Sequence, residues 1–154
     1  MTLVTRLCEL SLVLPDTAVP GARYAAVVVH QGIAWVSGQL PRDGDRVLHA
    51  GKLGRDVTIA EAQAGARVAL LRALAALRDE LGGLTRVRQV LKLTVFVNST
   101  DDFTGHSAVA DGASTLIYDL FGPELGRHAR TSVGVAQLPR NGCVELDLVV
   151  ALSD

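Results

Sequence analysis

Aromatic residues make up only 4% of the 154-residue chain, and neither charge sign is in excess, with 15 Lys and Arg against 16 Asp and Glu. A non-specific nucleic-acid binder usually carries a basic surplus and often a row of stacking aromatics, so both absences argue against a nucleic-acid partner. No run approaches the ~18 uninterrupted apolar residues of a membrane-spanning helix, and no membrane partner is expected. Cysteine is scarce too. Cys8 and Cys143 are far apart and outside any CxxC pair, which excludes a recognisable zinc site and a disulfide framework. Two such thiols are expected to be buried, in a protein of the reducing cytoplasm. The signatures GxGxxG, Walker A, HExxH and GxSxG are all missing.

Apolar residues make up 49% of the chain and charged residues 20%, enough for a core in one domain over residues 1–154. The apolar start, residues 1–14, has Arg6 as its only early cation, is interrupted by Glu9 and is followed by no small-residue cleavage site, so it is not expected to be a secretory leader. Leu3, Leu7, Leu10 and Leu14 instead recur at helical steps, which predicts an amphipathic helix ending before Pro15. Residues 15–23 form a loop by their Pro and Gly content. Residues 25–29 and 33–37 alternate apolar and β-branched types around His30-Gln31-Gly32, a hairpin pattern. Residues 42–46 follow as a solvated loop.

The clearest signal begins at Thr58, which stands three residues before Glu61 in a capping-box spacing. Ile59, Ala62, Ala66, Ala69, Leu70, Ala73, Leu74, Leu77 and Leu81 then recur in steps of three and four, and Gly82-Gly83 stops the helix. Arg67, Arg72, Arg78 and Asp79 are expected on its opposite, polar face. Residues 90–98 alternate as a strand. Residues 109–121 carry a second helical stripe, Leu116, Leu120 and Phe121, ended by Gly122-Pro123. Residues 132–138 and 144–152 are two further strands around a turn at 139–142. The order, helix-β-β-α-β-α-β-β, predicts an α+β sandwich with helices on one sheet face. Val144, Leu146, Leu148 and Val150 would meet those helices. Glu145, Asp147, Val149 and Ala151 would face the other way, on a side that only self-association would cover.

The four histidines, His30, His49, His106 and His128, are scattered and are expected in loops or at the surface, although His128 stands close enough to Arg130 to enter a site there. More distinctive are polar residues set into apolar strand ends: Ser37-Gly38-Gln39, Arg130-Thr131-Ser132 and Glu145. Taken singly, each has a plain explanation as a turn, a surface cation or an edge-strand acid, and Arg130 with Glu145 would make an ordinary cross-strand pair.

Taken together they carry a resemblance. Trp35-Val36-Ser37-Gly38-Gln39-Leu40-Pro41, Leu93-Thr94-Val95-Phe96-Val97, Ala129-Arg130-Thr131-Ser132 continuing to Pro139, and Val144-Glu145-Leu146 resemble the motifs of the Rid (reactive intermediate deaminase, YjgF-type) family over residues 24–152. The resemblance implies a chorismate-mutase-like fold, with a mixed β-sheet and two helices packed on one face, assembled as a homotrimer with clefts between subunits. In that family's motifs the arginine at the position of Arg130 binds a substrate carboxylate. The glutamate six residues after the motif proline, here Glu145 after Pro139, positions water. The tyrosine fourteen residues before the motif glycine, here Tyr24 before Gly38, lines the cleft, and Ser37-Gly38 form its opposite wall from the neighbouring subunit. Ser132 replaces the usual cysteine, and Ser107 is nearest to the family's substrate-side asparagine. The implied reaction is cofactor-free, metal-free deamination of small 2-imino or enamine acids. A non-catalytic trimeric carboxylate-binding module, or a biosynthetic enzyme using the same cleft on a larger imine, enamine or enol, are the alternatives. The N-terminal helix and residues 105–128 depart from the pattern.

Overall fold

The computed structural model describes residues 2–16 and 22–153. The loop expected over 15–23 lies partly outside these residues. The first helix, α1, spans Leu3–Glu9, where helical spacing suggested an end near residue 14. Thr2 caps its first turn by accepting from the Thr5 N–H at 3.2 Å. Its other end is closed by a Schellman pair, in which the Leu12 N–H donates to the Leu7 carbonyl and the Ser11 N–H to the Cys8 carbonyl, with Ser11 at φ 53°. Leu12 and Leu14 still pack on the core, but from outside the helix. Leu3 and Leu7 are the buried positions of α1, so Cys8, one step further round the helix, is exposed and only Cys143 is the buried thiol expected.

Strands β1 (Val27–His30) and β2 (Ile33–Gln39) form the expected hairpin, turned by Gln31 and Gly32, both at positive φ. The segment expected as a plain loop forms a minimal ladder, β3 (Arg42–Asp43) with β4 (Arg46–Val47). Helix α2 (Ile59–Leu81) carries the full capping box of Thr58 and Glu61 and ends on Gly82 in the left-handed region. Two of its positions differ from the simple amphipathic pattern. Ile59 is exposed in the first turn, while Arg72 is only 4% exposed. Its guanidinium lies 3.5 Å from the Arg42 carbonyl of β3, and it shares a helix stripe with the buried Gly65, Ala69 and Ala76. Burial pushes the Arg72 guanidinium below its ordinary value, with neighbouring Arg42 adding to the shift.

Strand β5 (Val87–Asn98) leads into helix α3 (His106–Leu125), and α3 returns to strand β6 (Ala129–Val135). The helix starts three residues earlier than the apolar stripe indicated. It breaks geometry at Gly122 (φ 76°), as Gly122-Pro123 suggested, but one more turn follows. Strand β6 begins and ends three residues before the expected span of 132–138, followed by a 3-10 turn over Pro139–Asn141 and strand β7 (Val144–Leu152). The main sheet has the order β1-β2-β7-β5-β6. All its pairs are antiparallel except β5 with β6, which are parallel because the α3 crossover joins them.

Helices α2 and α3 cover one sheet face, and α1 packs on α3, where Arg6 grips the Asp119 carbonyl through Nε and NH2 at 2.9 and 2.8 Å. The core lies between these layers. Val144, Leu146, Leu148, Val150 and Leu152 of β7 are buried there, while the intervening Glu145, Asp147, Val149 and Ala151 are half-buried on the open face. Trp35 and Val28 stand opposite one another in the β1–β2 register on that open face, 45% and 55% exposed. The helices approach closely through small residues. A Cβ added at Gly112 of α3 would lie 2.4 Å from the Gln63 carbonyl oxygen of α2.

Gly112→Ala should therefore force α2 and α3 apart. The expected cost is about 1–3 kcal/mol, read as a lower urea midpoint with an unchanged slope. An unchanged midpoint would mean that the two helices are not in this contact.

Candidate functional site

Arg130 enters at the second position of β6. In the parallel register it pairs with Leu93, which in turn pairs with Leu148, and both of those side chains are buried under the helices. Arg130 is thus on the helix-covered side. Because β6 is an edge strand, its side chain extends past the core to the N-terminal half of α3. There NH2 donates to Ser107 Oγ at 2.8 Å, while NH1 donates to Asp111 Oδ1 at 2.7 Å and Ser114 Oγ at 3.1 Å. Residues 107, 111 and 114 are spaced i, i+4, i+7, one stripe of a helix, so three polar side chains meet one guanidinium.

His128, one residue before β6, joins the same cluster. Its Nδ1 donates to the Gly126 carbonyl at 2.7 Å, so in the neutral ring Nε2 accepts from the Ser114 hydroxyl at 2.9 Å. Ser114 is then the hinge between His128 and Arg130. His128 lies in the α3–β6 loop, as expected, but is half-buried and bonded; His106, expected in a loop or at the surface, is instead the half-buried first residue of α3, with Nε2 3.3 Å from Ser99 Oγ. Ser132 lies two residues beyond Arg130 on the same side of β6, half-buried.

A second group forms on the other face. The β2–β7 pairing gains one residue between Val36 and Gln39, a bulge that occupies Ser37-Gly38. The Ser37 hydroxyl donates to the Ala25 carbonyl at 2.7 Å, and the Ser37 N–H to the Ala26 carbonyl at 2.8 Å. Gly38 lies against Glu145, since a Cβ there would meet Glu145 Oε1 at 2.2 Å. Only glycine leaves room for that carboxyl. Burial, with the charge of Asp147 adding to it, pushes the Glu145 carboxyl above its ordinary value. No hydrogen bond or ion pair holds it among the described residues. Tyr24 precedes the Ala25 that Ser37 holds, and is 59% exposed.

The seven residues singled out from the sequence therefore fall into two groups. Arg130, Ser107 and Ser132 belong to the α3–β6 side, whereas Ser37, Gly38 and Glu145, with Tyr24 beside them, belong to the bulge. Arg130 and Glu145 are not a cross-strand pair. Strand β5 lies between β6 and β7, and the two side chains leave opposite faces of the sheet. Arg130 consequently has no part in the Glu145 shift within one chain. Asp111 and Ser114 were not singled out from the sequence, because Ser107 lay outside the helix expected there and their shared stripe shows only when α3 begins at His106.

An α+β sandwich with one helix-covered sheet face, a bulged β2 and an arginine-bearing parallel edge strand defines the class of fold. The chain belongs to the family described as "YjgF/chorismate_mutase-like, putative endoribonuclease", which matches residues 4–152 and so takes in most of α1. Protein TCP17 of Trypanosoma cruzi is 45% identical over 146 residues, covering 95% of this chain and 91% of that protein. The crystal structure of Atu1372, of unknown function, from Agrobacterium tumefaciens is 39% identical, with a TM-score of 0.89 over 98% of this chain and 92% of that one. A "putative endoribonuclease" of Shewanella oneidensis MR-1 is 32% identical, with a TM-score of 0.92 over 99% and 100%.

Removing the Asp147 charge should relieve part of the shift on Glu145. Asp147→Asn is expected to lower the Glu145 midpoint in a carbon-detected NMR titration of the side-chain carboxyls. A midpoint that stays or rises would mean that Asp147 does not act on Glu145 across this face.

Proposed function

We propose that the protein is a cofactor-free hydrolase that deaminates small 2-imino acids, with Arg130 of one protomer facing Glu145 of a neighbour across a homotrimer cleft. The observation that carries this reading is the split of the candidate residues onto opposite faces of one sheet. Each half is incomplete alone, and the open face bearing Glu145 also exposes Trp35 and Val28, an apolar surface of the kind that a second copy covers. Family membership supports the fold on which such a cleft would be built.

In this reading Arg130 gives up Asp111 to a substrate carboxylate, which the planar guanidinium can hold with two parallel hydrogen bonds. Ser107 and Ser132 stand beside that carboxylate, and Ser37, Gly38 and Tyr24 line the facing wall. Ionised Glu145 takes a proton from water as the water oxygen bonds to the imine carbon and the C=N pair moves to nitrogen. Glu145 returns that proton to the nitrogen, the C–N bond breaks with its electrons on nitrogen, and the hydroxyl proton passes to that nitrogen, which leaves as ammonia. A keto acid remains. Raising the Glu145 carboxyl above the ordinary range brings it closer to neutrality, where a group can both accept and return a proton. The imine carbon is already electrophilic, so none of these steps calls on a cofactor or metal.

The description shared by this family's proteins makes RNA cleavage the competing reading. The net charge of −1 and the 4% aromatic content give it little support.

The test uses imines generated in situ by an amino-acid oxidase, with keto acid or ammonia release followed over time. The protein should accelerate release. Arg130→Ala should lower kcat/KM roughly 30-fold or more, the lower end of the about 2–5 kcal/mol for truncating one partner of a desolvated charge pair. Glu145→Gln should cost about 10²–10⁴-fold in kcat. An unaltered hydrolysis rate with wild-type protein would reject the activity, and a fully active Arg130→Ala variant would reject the site. Gly38→Ala displaces only the flexible end of Glu145, so it should fold normally yet lose on the order of 10²-fold in rate.

A further inference from the structure

Asp111 gives the Arg130 half-site a selectivity that an arginine alone would not have. The guanidinium already holds a carboxylate: NH1 is 2.7 Å from Asp111 Oδ1, with the neutral hydroxyls of Ser107 and Ser114 on its remaining near partners. The Asp111 side chain is 58% exposed and that of Arg130 23%, so the ligand-facing edge of this ion pair is its acidic member. A simple anion that binds Arg130 must turn Asp111 away and then lie beside it, carboxylate next to carboxylate. A ligand that carries its own cation one carbon from its carboxylate meets a different balance. Its carboxylate takes Arg130, the released Asp111 takes its cation, and no charge is left without a partner.

We propose that this site selects zwitterions, small carboxylates with an ammonium or iminium nitrogen on the adjacent carbon, and that Asp111 is the residue that reads the cation. The inference rests on the reading of Arg130 as the carboxylate holder and narrows its substrate class to the protonated 2-imino acid. It also gives the hydrolysis a direction at the site. The substrate is a zwitterion, whereas the keto acid product is a plain anion that Asp111 disfavours, so the product is the weaker ligand.

The experiment compares L-alanine with pyruvate, alike in carbon skeleton but with and without the cationic nitrogen, by NMR titration of wild-type protein and Asp111→Asn. The replacement is isosteric and largely exposed, and thermal unfolding of both proteins checks that folding is unchanged. Wild-type protein should bind alanine more tightly than pyruvate by about tenfold, and Asp111→Asn should reverse that order through tighter pyruvate and weaker alanine binding. A preference for pyruvate in the wild type, or a ratio that Asp111→Asn leaves unchanged, would overturn the proposal. If neither ligand binds either protein while imine hydrolysis is still accelerated, the role of Asp111 falls and the deaminase reading stands. If hydrolysis is also unaccelerated, both fall.

Discussion

Side chains alternate across a β-strand, and that constraint decides which groups of this site can meet. Arg130 shares its face of the sheet with Leu93 and Leu148, under the helices, whereas Glu145 lies on the opposite face between Val144 and Leu146, which are buried. A one-residue slip of either strand would reverse the arrangement, but β7 cannot slip without exposing four or more buried aliphatic side chains. The packing of the core therefore fixes which charged group faces which way. One chain presents an acid on one side and a cation on the other, and only a second copy can bring such groups together.

The two half-sites are stabilised differently. Arg130 is embedded in a polar network that extends from Asp111, Ser107 and Ser114 to His128 and the Gly126 carbonyl. Its ion pair with Asp111 is half open to water and contributes little to folding, since exposed pairs of this kind are worth about 0–1 kcal/mol. What the network supplies is position, because a guanidinium held by three side chains of one helix stripe has few rotamers left. Glu145 is the converse. It is held by shape, against the missing side chain of Gly38, and burial without a hydrogen-bond partner among the described residues is what perturbs it. The bulge at Ser37-Gly38 and the glycine it contains are thus two parts of one device for seating a carboxyl.

Much of this architecture was legible in the sequence, for reasons that can be named. Helix α2 has a capping box at one end, a glycine at the other and a long alanine-rich stripe between, and both of its ends fall where those signals place them. Strand β7 alternates without interruption and spans the expected residues. Legibility failed where tertiary contacts override local pattern. Strand β6 begins at Ala129 because it pairs with β5 as an edge, so polar Arg130 and Thr131 belong to the strand although they look like a lead-in. Arg72 is buried beside the Arg42 carbonyl, in a ladder too short to leave a sequence signal. The motif residues of the site were visible one by one through family resemblance, but their division between two faces was not, because no local signal relates β6 to β7. Asp111 and Ser114 were missed for a related reason. Their spacing from Ser107 has meaning only once α3 is known to begin at His106 rather than Val109.

The central claim is that Arg130 and Glu145 act together from different protomers. It is tested most directly by co-refolding equal amounts of Arg130→Ala and Glu145→Gln, each strongly impaired alone, and measuring imine hydrolysis by the mixture. In a closed ring with sites between neighbours, random mixing leaves on the order of a quarter of the sites with both groups intact, so the mixture should recover that share of wild-type activity. Mixed assemblies that remain as inactive as the separate variants would contradict the claim.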